Sequence, residues 1–415
     1  MNPMRCIAAV TTGKGAGAIS TIELYGQGSE KILRKLFESR LLSRCIGTRN
    51  DNRNFITGKI YLGDIKEDDR PIDQVIIGCE GEDHFAIHCH GNPLITSKIT
   101  KLLNSRGVDI LTDKQFKAVF YKERNNFNSI EVEAKLAVTE AKTTEGTKLA
   151  FAQVDGGLTK IVAEWLEELD SCFHRSNKCR KNDKNTDSQQ ILERIKSQAK
   201  KILDNSKIAR TIIYGLKAVL TGPPNSGKST LLNTLVGKEK VIVTDISGTT
   251  RDWVSAECLV GSLSVEFIDT AGLDEKIAAK SHSDSQAQLM ARQLLESAGI
   301  VLFVVDGNRS QIDVDMFTNI KANKILVLNK SDLGIKVRKD LNFPHIVEIS
   351  ARKNIGLDNL KNEIVGICGT ENFDLASPVC FTPRQEKLLT ALLNDDRKEI
   401  ARSVITELSN GKIVV

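Results

Sequence analysis

Long apolar runs are missing from this 415-residue chain. None approaches the ~18 residues that span a bilayer, so a membrane-embedded class is set aside. Paired cysteine motifs are missing too. The nine cysteines (6, 45, 79, 89, 172, 179, 258, 368 and 380) are scattered without a CxxC pair. Cys172 and Cys179 stand too far apart for a standard zinc half-site, and the set reads as reduced thiols. The opening MNPMRCIAAVTTGKG has a short apolar stretch soon broken by glycines, which is not a signal-peptide pattern. Internal repeats and low-complexity segments are absent. Charge is nearly balanced: a net +5 permits nucleic-acid contact without arguing for it. What is present, 40% hydrophobic and 27% charged residues, is the profile of a soluble globular protein able to bury real cores. Without a signal-peptide pattern or a spanning run, the protein is expected to be cytoplasmic. The length favours two or three domains.

Texture along the chain divides it. From residue 4 to about 110, the β-like runs CIAAV, AISTIEL, QVIIGC and HFAIHCH alternate with glycine turns and the helix-like SEKILRKLFESRLL. That mixture predicts a small α/β domain, placed at 1–112. A helical region follows at 113–211. Its run VEAKLAVTEAKTTEGTKLAFAQVDGGLTKIVAEWLEEL spaces apolar residues by three and four, and ILERIKSQAKKIL resumes after a polar, basic stretch. That stretch, His174 to Lys184, reads as a solvated helix–helix loop, with phosphate contact as the alternative. Short β runs then alternate with helices over 212–368, the pattern of a parallel sheet with crossover helices. A tail at 369–415 carries the helical PRQEKLLTALL and is expected to pack back on the first helical region. Trp165 and Cys89 read as core residues. His88 and His90, alternating in a strand-like run with no third ligand nearby, read as strand residues rather than a metal site.

One motif carries chemistry. The apolar GLKAVLTG leads into GPPNSGKST, Gly222 to Thr230, and then the helical STLLNTLVG. This is GxxxxGK[ST] in the strand–loop–helix setting it needs. Its glycines, Gly222 and Gly227, let backbone NH groups wrap phosphates, with Asn225 and Ser226 inside the loop and the helix dipole behind. Lys228 would reach the β- and γ-phosphates of GTP, and Ser229 would ligate Mg²⁺, with Thr230 beside it. Four further elements follow in the order such a site requires. TDISGTTRD (244–252) brings the hydroxyls of Thr249 and Thr250 to Mg²⁺ and the γ-phosphate. SVEFIDTAG ends at Asp269 near Mg²⁺ and Gly272 near the γ-phosphate. KILVLNKSD delivers Asn329, Lys330 and Asp332, and HIVEISA delivers Ser350 and Ala351. A carboxylate at Asp332 can accept from guanine N1–H and N2–H. Adenine offers neither donor there, so GTP is expected over ATP.

GTTRD at 248–252 and DTAGL at 269–273 resemble the TRAFAC-class GTPases, in the branch holding the MnmE/TrmE, Era and EngA families. Leu273 stands where many small GTPases place a water-orienting glutamine. In the MnmE-like branch the resemblance implies K⁺ as a charge clamp when two G domains face each other, with Asn225 as its ligand. It also implies an acid that orients the attacking water. The corresponding position falls near Asp284, with Glu275 as a second candidate.

The flanks resemble the MnmE family as well. IAAVTTGKGAGAISTIELYG, EDHFAIHCHGNP and the helix beginning VEAKLAV carry that likeness. It implies an α/β multidomain fold: an N-terminal folate-binding and dimerising domain, helices, an inserted doubly wound G domain and a helical return. It further implies a homodimer that modifies wobble uridine of tRNA with an MnmG-like flavoprotein and a reduced folate. The chain departs from the family at Glu23 (arginine there), Ala86 (glutamate), Asn92 (the second glycine of His-Gly-Gly) and in lacking the terminal Cys-Ile-Gly-Lys. Two readings therefore stand: a divergent tRNA-modification GTPase, or a GTPase switch that kept the scaffold and lost the one-carbon chemistry.

Overall fold

The computed structural model describes residues 5–13, 17–39, 55–175, 183–237, 254–269, 293–309, 322–337 and 343–413. It forms two compact units, Met1–Val132 with Ile413–Val415, and Glu133–Lys412.

The first unit is built on one sheet. Its elements are β1 (Ile7–Val10), β2 (Ile19–Tyr25), α1 (Ser29–Leu36), β3 (Phe37–Ser39), β4 (Ile60–Glu67), β5 (Arg70–Gly81), β6 (His84–His90), α2 (Pro93–Ser105), β7 (Asp109–Ile110) and α3 (Asp113–Arg124). The strand order is β3-β4-β5-β6-β2-β1-β7, antiparallel throughout except for β1 with β7. Period-2 alternation puts Phe85, Ile87 and Cys89 of β6 with Ile22 and Leu24 of β2 into the core. His88 meets the Thr21 hydroxyl at 3.0 Å, and His90 meets Asp73 at 2.7 Å. The stretch SEKILRKLFESRLL, expected as a helix throughout, stops being helical at Leu36. Phe37 turns extended and Phe37–Ser39 pair with β4 instead. Tertiary pairing outweighs a helical periodicity that local sequence alone supports. Asn92 has a plain structural role, since its side chain accepts from Leu94 N at 2.9 Å and caps α2 ahead of Pro93.

In the second unit, α4 (Ser129–Glu140, which begins in the first), α5 (Thr144–Asp155), α6 (Gly157–Arg175) and α7 (Asp183–Tyr214) precede a six-stranded sheet. The long helical run breaks where Thr143 caps α5 by accepting from Gly146 N at 3.0 Å, and again at Gly156. Trp165 is fully buried on α6, its indole donating to Gln198 of α7 at 2.7 Å. The sheet holds β8 (Leu216–Thr221), β9 (Val254–Val260), β10 (Leu263–Asp269), β11 (Ile300–Asp306), β12 (Asn323–Asn329) and β13 (Ile346–Glu348) in the order β13-β12-β11-β8-β10-β9. All pairs are parallel except β9 with β10. Near-continuous apolar runs such as IVLFVVD suit strands covered on both faces. Helices α8 (Lys228–Val236) and α9 (Leu357–Cys368) are among the helices described in this part. The tail forms α10 (Pro383–Leu393) and α11 (Lys398–Asn410), which pack on α7 and α6 as expected. No helix among the described residues is long and apolar enough to cross a membrane.

Candidate nucleotide site

The sheet dictates where a ligand sits. β8 is flanked by β11 on one side and β10 on the other, so the strand order reverses there. Open α/β sheets bind ligands beyond the carboxyl ends of strands at such a switch point. The loop Gly222–Gly227 lies there, between β8 and α8.

Its backbone is held by side chains. Lys228 Nζ donates to the carbonyls of Gly222 (2.7 Å) and Pro223 (3.2 Å), Lys330 Nζ to that of Asn225 (2.9 Å), and Asn329 Nδ2 to that of Ser226 (2.9 Å). Four carbonyls are occupied in this way, and Ser226 N donates to Pro223 O at 3.3 Å, which fixes the loop in the curled form that lets backbone NH groups face phosphate oxygens. Left-handed backbone is needed at Gly222 (φ 141°) and Gly227 (φ 95°). A Cβ at Gly222 would collide with the Val304 carbonyl of β11, and one at Gly227 with the Asn329 amide. Both glycines are therefore fixed by sterics as well as by torsion. Asn225 is also left-handed, at φ 62°.

Ser229 Oγ donates to Asp269 Oδ2 at 2.5 Å, joining the first turn of α8 to the end of β10. Thr230 follows in the same turn, exposed. At the next strand ends, Asn329 is buried and its Oδ1 accepts from Lys330 N (2.8 Å) and Ala351 N (3.0 Å), tying two predicted motifs together. Ser350 Oγ donates to Asp332 Oδ1 at 2.6 Å. That hydrogen bond, with the charges of Lys353 and Arg352 adding, holds the Asp332 carboxyl below the usual carboxylate range. The structure thus brings together Gly222, Asn225, Ser226, Gly227, Lys228, Ser229, Asp269, Asn329, Lys330, Asp332, Ser350 and Ala351. Thr249, Thr250, Gly272, Glu275 and Asp284 lie outside the described residues.

Two residues emerge that sequence reasoning did not single out. Asp306, ending β11, accepts from Lys330 Nζ at 2.7 Å, and Lys353 Nζ lies 3.7 Å from Asp332 Oδ2. Burial, the largest single cause, pushes the Asp306 carboxyl up, but the bonds from Lys330 and Asn308 N and the charges of Lys330 and Arg309 together outweigh it, and the net direction is down. The one signal for Asp306 was an acid closing an otherwise apolar strand.

Residues 217–330 match the family described as 50S ribosome-binding GTPase, and residues 6–114 match GTP-binding protein TrmE N-terminus. The tRNA modification GTPase MnmE of Flavobacterium johnsoniae is 28% identical over 99% of this chain and 92% of its own length. That of Thermotoga petrophila is 30% identical over 87% of this chain and 82% of its own. The crystal structure of Era in complex with MgGDPNP and a 16S ribosomal RNA segment is similar at 29% identity, covering 37% of this chain and 56% of that one, with a TM-score of 0.29. A GTP-binding P-loop lies at one end of the parallel sheet, and MnmE relatives match along most of the length. The chain is a GTPase and belongs to the MnmE/TrmE family.

Proposed function

We propose that this GTPase drives modification of wobble uridine in tRNA as a cytoplasmic homodimer, working with an MnmG-like flavoprotein. Its G domain, 212–368, would be inserted between helical segments 113–211 and 369–415, behind an N-terminal domain at 1–112. The observation that carries the reading is the union on one chain of a TrmE-type N-terminus and a built nucleotide site. Mass spectrometry of tRNA nucleosides from a deletion strain tests it. Loss of the modified wobble uridine is expected, and an unchanged nucleoside profile would overturn it.

The donor set suits the ions this reading needs. Ser229 Oγ and Asp269 Oδ2 are two hard oxygens side by side, as Mg²⁺ prefers, with Thr250 as the proposed third contributor. Bound there, Mg²⁺ would offset charge on the β- and γ-phosphates. Asn225 is exposed on the loop with its own carbonyl engaged by Lys330, and its amide oxygen is the proposed K⁺ ligand. Lys228 would carry phosphate charge, and Asp284 or Glu275 would orient water. Hydrolysis is therefore expected to run roughly tenfold or more faster in K⁺ than in Na⁺, since a fixed cation does the work of an arginine finger. Asn225→Ala should erase that difference and leave GTP binding nearly unchanged. Equal rates in the two salts would remove Asn225 from the ion role.

A second reading, a switch without one-carbon chemistry, is favoured by what surrounds the departures. Glu23 accepts from His84 Nε2 at 3.1 Å, and His84 Nδ1 meets Arg124 at 2.9 Å. The His84 bond holds the Glu23 carboxyl below its ordinary range against the opposing effect of burial. The anion at Glu23 is thus locally engaged rather than presented to a folate tail. Cys380, the last cysteine, is buried against Ser206, and burial pushes its thiol up, away from nucleophilic use. A reduced folate would have to find its contacts elsewhere. The same nucleoside measurement separates the two readings.

A further inference from the structure

We infer that Asp306 is a positioning residue for guanine-nucleotide binding, setting the phosphate loop through Lys330. The inference rests on the assignment of Lys330 and Asn225 to the nucleotide site and goes beyond it, since Asp306 stands outside all five nucleotide motifs.

Register places the pieces. Asp306 and Asn329 are partners at the ends of the parallel strands β11 and β12, and Gly307 N donates to Asn329 O at 2.8 Å. The next residue, Lys330, turns left-handed at φ 63°. Its ammonium then lies between two acceptors, Asp306 Oδ2 at 2.7 Å and the Asn225 carbonyl at 2.9 Å. Asp306 is itself fixed, because its Oδ1 accepts from Asn308 N at 3.0 Å. A side chain with four rotatable carbons and three donors does not hold one geometry unaided. Asp306 supplies the charge that selects the rotamer in which Lys330 also reaches Asn225.

Exposure decides whether such a pair matters. A fully exposed ion pair contributes almost nothing, but the side chains of Asp306 and Lys330 are 17% and 32% exposed. The acceptor at the far end is the carbonyl of a left-handed, non-glycine residue in the loop. Asparagine adopts that conformation readily, so what the ammonium fixes is the direction of the Asn225 peptide. Without Asp306 the ammonium can turn to water, the Asn225 peptide loses its clamp, and the NH groups beyond it lose their aim. The effect should fall on GDP and GTP alike, because both place a β-phosphate in the loop. Discrimination between guanine and other bases should not change, because Asp332 is held by Ser350 and Lys353 rather than by Asp306.

Binding of N-methylanthraniloyl-GDP to the full-length chain provides the test, read as Kd and dissociation rate for wild type, Asp306→Asn, Asp306→Glu, Lys330→Met and the double variant Asp306→Asn/Lys330→Met. Asp306→Asn is expected to raise Kd about tenfold, the scale of one lost charged hydrogen bond, with Asp306→Glu restoring most of it. The double variant should bind no worse than Lys330→Met alone, as one residue acting through another requires. Additive losses, or an Asp306→Asn Kd within about twofold of wild type while Lys330→Met is weak, overturn the inference. Wild-type binding by Lys330→Met would instead remove Lys330 from the site, and the inference with it. Should Asp306→Asn not fold, Asp306→Glu with Lys330→Met still decides, because the longer acid must keep Kd near wild type.

Discussion

Asp332→Asn is expected to cut affinity for GTP by about 100-fold and to admit xanthosine triphosphate. In the site, Asp332 offers two carboxylate oxygens at the end of the NKSD turn, one receiving Ser350 Oγ at 2.6 Å. Guanine presents two donors, N1–H and N2–H, to that edge. The substitution exchanges one acceptor for an NH₂ donor and removes the charge. Donor then faces donor, and the second hydrogen bond loses its charged partner. Each charge-assisted bond contributes about 1.5–3 kcal/mol, so losing them together reaches ~3 kcal/mol, or two decades in Kd. Xanthine carries a carbonyl oxygen where guanine carries the N2 amine, so the new amide donor meets an acceptor. Equilibrium titration with GTP, xanthosine triphosphate and ATP reads the switch directly. Wild-type protein that binds ATP as tightly as GTP would show that Asp332 does not read the base.

What could be read from sequence followed how local each device is. The phosphate loop was legible because its chemistry fixes residue types within nine consecutive positions, Gly222 to Thr230. The NKSD and ISA motifs were legible for the same reason, and the sheet brings them together through the Asn329 side chain. Asp306 was not legible, because its meaning lies in register with Asn329 on the neighbouring strand rather than in its own segment. The helix expected through residue 42 failed at Phe37 because an edge pairing with β4 is a tertiary fact. Asn92 shows the converse. Beside the family it is a lost glycine, whereas in the fold it is a gained cap on α2. A departure from a motif can thus be paired with a local structural use, and Glu23 with His84 is another instance.

The same distance in sequence hides a buried polar link of the helical part, and it supports a large stability effect. Arg384, in the first turn of α10, donates to both oxygens of Glu133 on α4, at 2.8 and 2.7 Å. The side chains are 10% and 3% exposed. Gln385 Nε2 adds a bond to Glu133 Oε2 at 2.8 Å, and Thr382 Oγ1 one to Oε1 at 3.2 Å. Arg384 also donates to the carbonyls of Glu407 (2.9 Å) and Leu408 (3.0 Å) near the end of α11. One guanidinium therefore ties α4, α10 and α11. Arg384→Met keeps the length of the side chain but leaves a buried carboxylate with only neutral donors, and the α11 carbonyls lose their partner. Breaking such a pair costs about 3–5 kcal/mol, which for a unit of this size lowers the unfolding midpoint by roughly 10 °C. Glu133→Gln should cost less, because the guanidinium keeps its two carbonyl acceptors. The double change Glu133→Leu/Arg384→Met removes both charges from the interior and should recover much of the loss, since most of the penalty comes from stranding one ion. Thermal unfolding followed by circular dichroism reads all three. An Arg384→Met midpoint within about 2 °C of wild type would mean that water reaches Glu133 and that the link contributes little.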